Sequence, residues 1–315
     1  MSVNQDGLIG EAGELQGKKE PSDFKIKTDE FFNKYLAINT NGQTKPFIIQ
    51  DFKSLEGEGG NNAVGVTTLF LRLNKCNLSC KFCDTSFSIK GDPKYNLVEA
   101  NTAELTKYLD NKYSEDDKKY IHSCSITGGE PLIHLKEFKA IIKHLKASFV
   151  NIDHIIIETN GLMLYSKKEC MKMLKLANEL KGIKLTLSIS PKLDAGVSYG
   201  KASREEGAQE MIYSIHKKLF KNFNKYLSHV VEVQVKFVHH ETLEKDNTRL
   251  MNSIIKNNWI TPRTKLLIMP FTPANWDKNE EGLKAWHKSK DDAAKFALDN
   301  YLRYSPRIHI DRKMD

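Results

Sequence analysis

Short apolar segments and longer amphipathic segments alternate along this chain from residue 46 onward. The apolar segments are rich in β-branched residues and have the length of buried strands, while the others repeat their apolar residues with a helical period. This alternation favours a parallel sheet whose strands are joined by right-handed helical crossovers. The predicted strands are Phe47–Phe52, Thr67–Leu73, Ser123–Thr127, His154–Thr159, Ile183–Ser190, Val230–Val238 and Lys265–Pro270.

Helical patterns fill most of the intervals between these strands. The predicted helices are a short one near Asp29–Leu36, one marked by Leu135, Phe138, Ile141, Ile142 and Leu145, and four more at Ser166–Leu180, Ala202–Tyr226, Glu241–Asn257 and Asp291–Arg303. Six strands after the first are too few for a closed eight-stranded barrel. We therefore predict an α/β fold, a partial and open TIM-like barrel of about six parallel strands with outer helices.

The domain organisation follows from the same pattern. We place one domain at residues 46–310, preceded by a polar, partly disordered extension at 1–45. A lysine-rich stretch at 193–228 is longer than expected and is a candidate helical insertion. Residues 311–315 form a C-terminal tail.

Composition excludes several classes of protein. A hydrophobic content of 40% and a charged content of 28% are typical of a soluble globular enzyme. The net charge of +8 comes from lysines scattered over helical stretches, without the clustered, aromatic-interleaved patch of a nucleic-acid-binding surface. No apolar run has the length of a membrane span, and the N-terminus lacks a signal-peptide core. Five cysteines, three of them in one loop, indicate a reducing compartment and predict a cytoplasmic protein.

The three clustered cysteines are Cys76, Cys80 and Cys83, separated by three and two residues. Three thiolates on one short loop can hold three corners of a [4Fe–4S] cluster and leave the fourth iron open for a ligand. The alternative is a zinc knuckle, which needs a fourth cysteine or histidine at knuckle distance. The next candidates, His122 and Cys124, are too far along the chain, so the pattern favours the cluster. Cys124 lies on a predicted strand and Cys170 in a predicted helix, and both are expected to be core thiols.

Polar residues stand at the carboxyl ends of the predicted strands, the edge at which parallel α/β folds gather their reactive groups. One polar end would mean little, but several on the edge that also holds the cysteine loop predict a site. They are Arg72, Thr127-Gly128-Gly129-Glu130-Pro131, Glu158-Thr159-Asn160-Gly161, Ser190-Pro191-Lys192, Lys236 to His239 and Met269-Pro270. The first strand instead runs into a glycine-rich turn from Ser54 to Gly60, which is a candidate ligand contact or a surface loop.

These motifs carry a family resemblance. The cysteine loop followed by Gly-Gly-Glu-Pro resembles the radical S-adenosylmethionine superfamily. The closer likeness is to the 7-carboxy-7-deazaguanine synthase family, whose motifs appear here in family order over about residues 46–310. They are Ser54-Leu-Glu56-Gly-Glu58-Gly, the run from Arg72 to Thr85, Thr127-Gly-Gly-Glu-Pro, Glu158-Thr-Asn-Gly, Ser190-Pro-Lys192 and Tyr304-Ser-Pro-Arg-Ile-His309.

The resemblance implies an activity and its cofactors. The family converts 6-carboxy-5,6,7,8-tetrahydropterin to 7-carboxy-7-deazaguanine with release of ammonia, a carbon–nitrogen lyase reaction in 7-deazapurine (queuosine-type) biosynthesis. It uses a [4Fe–4S] cluster, S-adenosylmethionine and Mg²⁺. The resemblance further implies a homodimer and an electron donor such as flavodoxin or ferredoxin. It implies no direct contact with nucleic acid or membrane.

The resemblance also assigns residues. Those for the cluster are Cys76, Cys80 and Cys83, with Thr85 for Mg²⁺. Those for S-adenosylmethionine are Phe82, Cys83, Asp84, Gly129, Ser190, Pro191 and Lys192, with Gly128, Glu130, Glu158 and Thr159 as further candidates. Those for the substrate are Leu55, Glu56, Gly57, Arg72 and Thr127, with Glu58 and His309 as further candidates.

This chain departs from the family pattern at two of these motifs. Glutamine usually stands where this chain has Glu56, and a Gln-Pro pair often stands where it has Met269-Pro270. Two other functions are compatible with parts of the sequence. A radical S-adenosylmethionine activase that makes a glycyl radical on a partner protein would use the cluster and Gly-Gly-Glu, and a non-catalytic metal-binding module would use the cysteines alone.

Overall fold

Nine strands form one sheet in the computed structural model, which describes residues 22–37, 46–57, 64–81, 83–90, 98–180, 182–259, 264–273 and 275–311. The strands are β1 Phe47–Leu55, β2 Thr67–Leu73, β3 Val98–Glu99, β4 Ser123–Gly128, β5 His154–Thr159, β6 Lys184–Ile189, β7 Glu232–His239, β8 Lys265–Pro270 and β9 Arg303–Tyr304. Their order across the sheet is β3-β1-β2-β4-β5-β6-β7-β8-β9.

Strands β2 and β4 to β9 are parallel, and β1 and β3 complete one edge as antiparallel strands. In the described part of the chain the sheet is open, with β3 and β9 as its edges. This confirms the predicted α/β fold with an open parallel sheet, and all seven predicted strands are present. The two that were not predicted, β3 and β9, have two residues each, too few to show a period.

Helices connect the strands and pack on the sheet. The α-helices are α1 Ser22–Phe31, α2 Phe87–Lys90, α3 Ala103–Lys112, α4 Glu115–Tyr120, α5 Phe138–Ser148, α6 Lys167–Glu179, α7 Ala195–Ser198, α8 Ala208–Tyr226, α9 Glu244–Lys256, α10 Glu280–Asp299 and α11 Ile308–Asp311. A π-helical turn spans Phe32–Leu36, and 3₁₀ turns span Pro131–His134, Leu162–Tyr165, Gly200–Arg204 and Glu241–Leu243.

Two predicted helices are corrected by the structure. The predicted helix Ala202–Tyr226 is interrupted before α8, because Gly207 adopts the left-handed conformation that ends the preceding turn. The predicted helix Asp291–Arg303 begins earlier, at Glu280, where the Asn279 side chain accepts a hydrogen bond from the Gly282 amide at 2.7 Å. Its first turns are mostly polar, so hydrophobic period could not mark them.

The main hydrophobic core lies between the sheet and its helices. It includes the fully buried thiols Cys124 and Cys170, which confirms their prediction as core residues. A second cluster joins α1 and the π-turn to the cysteine loop and to α8. The candidate insertion at 193–228 contains α7, a 3₁₀ turn and α8, and α8 buries side chains such as Leu219 and Phe220 in the main core.

The predicted extension and tail fall partly outside the described residues, namely 1–21, 38–45 and 312–315. Residues 22–36 of that extension are helical. Within the described ranges, no helix has both the length and the apolar character that a membrane crossing requires.

Candidate active site

A cavity opens at the carboxyl ends of the parallel strands, where the sequence predicted a site. Its walls come from the cysteine loop after β2 and from the ends of β4 to β8. It brings together most of the predicted site residues, namely Arg72, Cys76, Cys80, Cys83, Asp84, Thr85, Thr127, Gly128, Gly129, Glu130, Glu158, Thr159, Ser190 and Lys192.

The cysteine loop presents three thiols that are neither fully buried nor fully exposed. The Leu78 amide donates a hydrogen bond to Cys76 Sγ at 3.4 Å, as sulfur ligands commonly accept from backbone. Burial raises the pKa of Cys76 and of Cys83, and nearby Glu130 raises that of Cys76 further. Burial thus favours the neutral thiol at Cys76 and Cys83, and a bound cation would favour their thiolates.

The donor set of the loop can be compared with what an iron–sulfur cluster requires. Such a cluster takes each thiolate at a separate corner. The donor set of three thiols on one loop facing one cavity fits a cluster with an open fourth position.

The Gly-Gly-Glu turn after β4 packs directly against the cysteine loop. The Gly129 amide donates to Leu73 O at 3.0 Å and the Glu130 amide to Lys75 O at 2.7 Å. A Cβ at Gly129 would lie 1.7 Å from Lys75 O, so only glycine fits at this distance. Gly128, with φ at +112°, requires glycine for its backbone conformation as well. The bare backbone thus faces both the loop and the cavity.

Glu130 organises the next strand end and is itself almost completely buried. Its carboxylate accepts hydrogen bonds from the Leu132 amide at 3.0 Å, the Asn160 amide at 2.7 Å and the Thr159 hydroxyl. Burial raises its pKa to about 6 despite these donors. Glu130, which is part of the cavity wall, therefore positions the turn after β5.

Glu158 and Lys236 form a charged pair in the cavity wall, with Lys236 Nζ 3.8 Å from Glu158 Oε1. The Thr127 hydroxyl donates to Glu158 Oε2 at 3.0 Å and the Ser125 hydroxyl to Oε1 at 3.3 Å. The Lys236 side chain is only 3% exposed and that of Glu158 is 20% exposed. A cation and a carboxylate side by side can bind a ligand edge that carries both acceptors and donors.

Arg307 connects the C-terminal segment to the cysteine loop across the open side of the cavity. Its guanidinium donates to Asp84 Oδ2 and to Thr272 Oγ1, both at 2.6 Å. Beside it, the Thr85 hydroxyl donates to Gly128 O at 3.2 Å. Arg72 lies deeper, with its guanidinium 5.0 Å from the ring centre of Phe52 and hydrogen-bonded to Gln50.

The turn after β6 is held from behind by a buried histidine. His216 Nδ1 lies 2.9 Å from Ile212 O, which places its proton there, so Nε2 can accept from the Lys192 amide at 3.3 Å. Lys192 Nζ in turn donates to Ser190 Oγ at 2.7 Å. Burial lowers the pKa of His216 to about 4, with Lys192 adding a smaller effect.

We expect acid to destabilise the protein through this histidine. Because the pKa is about 4 in the folded state and near 6.5 when unfolded, stability is full above pH 6.5 and is lost as the pH falls toward 4. The loss from His216 alone should be about 2 kcal/mol between pH 7 and pH 5. Urea unfolding at both pH values, with His216→Gln as the control, measures it, and an equal pH response in the variant would contradict it.

Some predicted site residues lie elsewhere. Leu55 pairs with Thr67 at the start of β2, whereas the cysteine loop follows its end. Leu55, Glu56 and Gly57 are not among the cavity-lining residues, and Gly57 packs against Ile308.

Other predicted residues are only partly described. Pro191 lines a small neighbouring pocket together with Lys192. Phe82 and Glu58 lie outside the described residues, and for His309 only the backbone, in α11, is described.

Several residues of the cavity wall had been given no role of their own, among them Lys236, Asn160 and Arg307. Lys236 and Asn160 lie at polar strand ends, and Arg307 lies in the motif from Tyr304 to His309, so each had a usable signal in the sequence. His239 and His240 do not line this cavity, and their rings pack against Phe296 and Phe271.

Known proteins with related sequences include 7-carboxy-7-deazaguanine synthases. The 7-carboxy-7-deazaguanine synthase of Methanospirillum hungatei is 36% identical over 115 residues, which span 36% of this chain and 42% of the relative. The protein of the same name from Hyperthermus butylicus is 26% identical over 264 residues, which cover 84% of this chain and 91% of the relative. Among solved structures, the crystal structure of QueE from Escherichia coli matches with a TM-score of 0.46 and 16% identity, over 85% of this chain and 96% of that one.

A family model matches the central part of the chain. The model of the radical SAM superfamily matches residues 71–245, more than half of the chain, and this range includes the cysteine loop and the ends of β4 to β7. The chain is therefore a member of the radical SAM superfamily, whose enzymes use a [4Fe–4S] cluster and S-adenosylmethionine.

Proposed function

We propose that this protein is a 7-carboxy-7-deazaguanine synthase, acting on 6-carboxy-5,6,7,8-tetrahydropterin with release of ammonia. The observation that carries the proposal is one cavity in which the cysteine loop, the Gly-Gly-Glu turn and Arg72 meet. The similarity to synthases of that name supports it along most of the chain. The activity and substrate of those relatives come to this chain as part of the proposal.

In this proposal, separate sets of residues bind the cofactors and the substrate. Cys76, Cys80 and Cys83 would hold the cluster, and the bare backbone of Gly129 would meet S-adenosylmethionine. When bound, these two cofactors supply a radical that abstracts hydrogen from the substrate. The chain itself binds, orients and excludes water. In this assignment Ser190 and Lys192 contact S-adenosylmethionine. His216 holds the backbone of Lys192 in place.

A guanidinium in the cavity wall can bind an anionic group of the substrate. Among the described residues, four cationic side chains line the cavity together with three carboxylates, and two of the cations, Arg307 and Lys236, are paired with carboxylates of the wall. Arg72 is buried against Phe52, where a guanidinium can pair with a carboxylate in two parallel hydrogen bonds. Its position between an aromatic ring and the cavity is suited to the substrate carboxylate.

The deciding experiment is an anaerobic turnover assay. Reconstituted protein, reductant, S-adenosylmethionine, Mg²⁺ and 6-carboxytetrahydropterin should give 5′-deoxyadenosine and a deazapurine product. Cleavage of S-adenosylmethionine without any deazapurine would contradict the substrate assignment. An absence of both, in protein with a full cluster, would contradict the proposed reaction as a whole.

Thr85 is expected to tune the response to magnesium. In the family-derived assignment its hydroxyl oxygen binds Mg²⁺, and the substrate and water supply the other ligands. Thr85→Ala should raise the Mg²⁺ concentration for half-maximal rate about tenfold. Thr85→Ser keeps the oxygen and is the matched control. An unchanged Mg²⁺ response in Thr85→Ala would show that this threonine is not a ligand.

Homodimerisation, an electron donor such as flavodoxin or ferredoxin, and a cytoplasmic location stay predictions from the sequence. Gel filtration and reduction by each donor test the first two.

A further inference from the structure

The cysteine loop is covered by a helical segment that precedes the part of the chain resembling deazaguanine synthases. This segment, residues 22–37, comprises α1 and the π-turn Phe32–Leu36. Phe31, Phe32 and Leu36 are buried in the second hydrophobic cluster. Leu78 of the cysteine loop belongs to the same cluster, and Cys76 and Cys80 pack against it. An otherwise polar extension thus buries its apolar face on the loop that would hold the cluster.

A chain of hydrogen bonds runs from this segment to the Gly-Gly-Glu turn. The Asn77 side chain donates to Leu36 O at 3.2 Å and accepts from the Asn160 side chain at 2.9 Å. The backbone N–H of Asn160 donates to Glu130 Oε2 at 2.7 Å. Asn77, between the first two cysteines, therefore has its amide group fixed from both sides.

The segment is tied to the body of the protein as well. Asp29 accepts from the Tyr165 hydroxyl and pairs with Lys218 at 3.0 Å. Lys34 pairs with Glu205 at 2.9 Å, and the Tyr35 hydroxyl donates to the same carboxylate. These partners come from the turn after β5, from α8 and from the stretch just before α8, so the segment is held at several points.

We propose that residues 22–37 form a cap over the cysteine loop. The cap positions the loop, and where its apolar side chains pack on the loop it keeps water and oxygen away from the iron–sulfur group. The apolar surroundings of a metal group control solvent access to it, and buried phenylalanine and leucine side chains provide such surroundings here. The proposal assumes only that the cysteine loop holds the iron–sulfur cluster of the superfamily, and it does not depend on the identity of the substrate.

The first test uses the thiols of the protein without its cluster. In Leu36→Ala, alkylation of Cys76 and Cys80 by iodoacetamide, followed by mass spectrometry, should be roughly tenfold faster than in the unaltered chain. Cys83, which is not among the residues packed on the second cluster, should react at its original rate. Equal acceleration at all three thiols, or at none, would overturn the proposal.

The second test uses the reconstituted cluster. Leu36→Ala should lose its visible absorbance in air roughly tenfold faster. The matched control is Leu250→Ala, which removes the same side chain from the main core in α9. If Leu250→Ala bleaches as fast, the effect is general destabilisation and the cap is refuted. Phe32→Leu, a milder change in the same segment, is measured identically in case Leu36→Ala does not fold. Neither test includes a substrate, so its outcome is independent of the proposed reaction.

Discussion

Cys80→Ala is expected to abolish turnover and to leave the protein unable to hold its cluster. Three thiolates are the minimum for a [4Fe–4S] cluster with an open iron, so two leave it unanchored. After anaerobic reconstitution the iron content should fall from about four per chain to nearly none. Loss of the cluster removes the source of the radical, and both 5′-deoxyadenosine and product should become undetectable.

The matched control for this variant is Cys124→Ala. Cys124 is completely buried in β4 and packs in the main core. Its replacement should lower the thermal midpoint, because it removes buried volume, while the iron content stays near that of the unaltered protein. Cys80, in contrast, is only partly buried, and its loss should change the midpoint of the cluster-free protein little. Iron retention in Cys80→Ala would contradict the assignment of the loop.

The strands could be predicted from sequence because each is a short apolar run with clear ends. β2, β5 and β8 have the bounds that the sequence predicted. The helix α10 is different, because its first half, up to Lys290, is largely polar and its only buried large side chain there is Trp286. Its start depends on the cap at Asn279, a signal that hydrophobic period does not contain.

The site could be predicted to the extent that its motifs are local and the sheet brings them together. Parallel strands place their ends at one edge, so motifs far apart in sequence meet without any knowledge of their contacts. Arg307 and Asp84 meet across 223 positions, a contact that no local pattern encodes. The end of β1 does not meet the other strand ends, because β1 runs antiparallel to β2. Leu55 therefore lies beside the first residue of β2, and Arg72 lies near its last.

Lys236→Met is expected to destabilise the protein and to slow turnover. Lys236 on β7 and Glu158 on β5 face each other across β6, and the lysine is almost completely buried. Removing the cation leaves a partly desolvated carboxylate that costs free energy to keep charged. Because the Glu158 side chain is 20% exposed, the free energy of unfolding should fall by about 2 kcal/mol, less than for a fully buried pair.

Turnover by Lys236→Met should also fall, by about 100-fold in kcat/KM, because the pair lines the cavity and can bind the edge of a ligand. The double variant Lys236→Met with Glu158→Gln separates stability from function. Neutralising both partners removes the unpaired charge, so unfolding stability should recover by about 1 kcal/mol relative to Lys236→Met alone. Turnover should not recover, because a ligand that needs a cation and a carboxylate finds neither. If stability and kcat/KM recover together, the pair serves only the fold, and the substrate must be recognised by Arg72 and the remaining cations of the cavity.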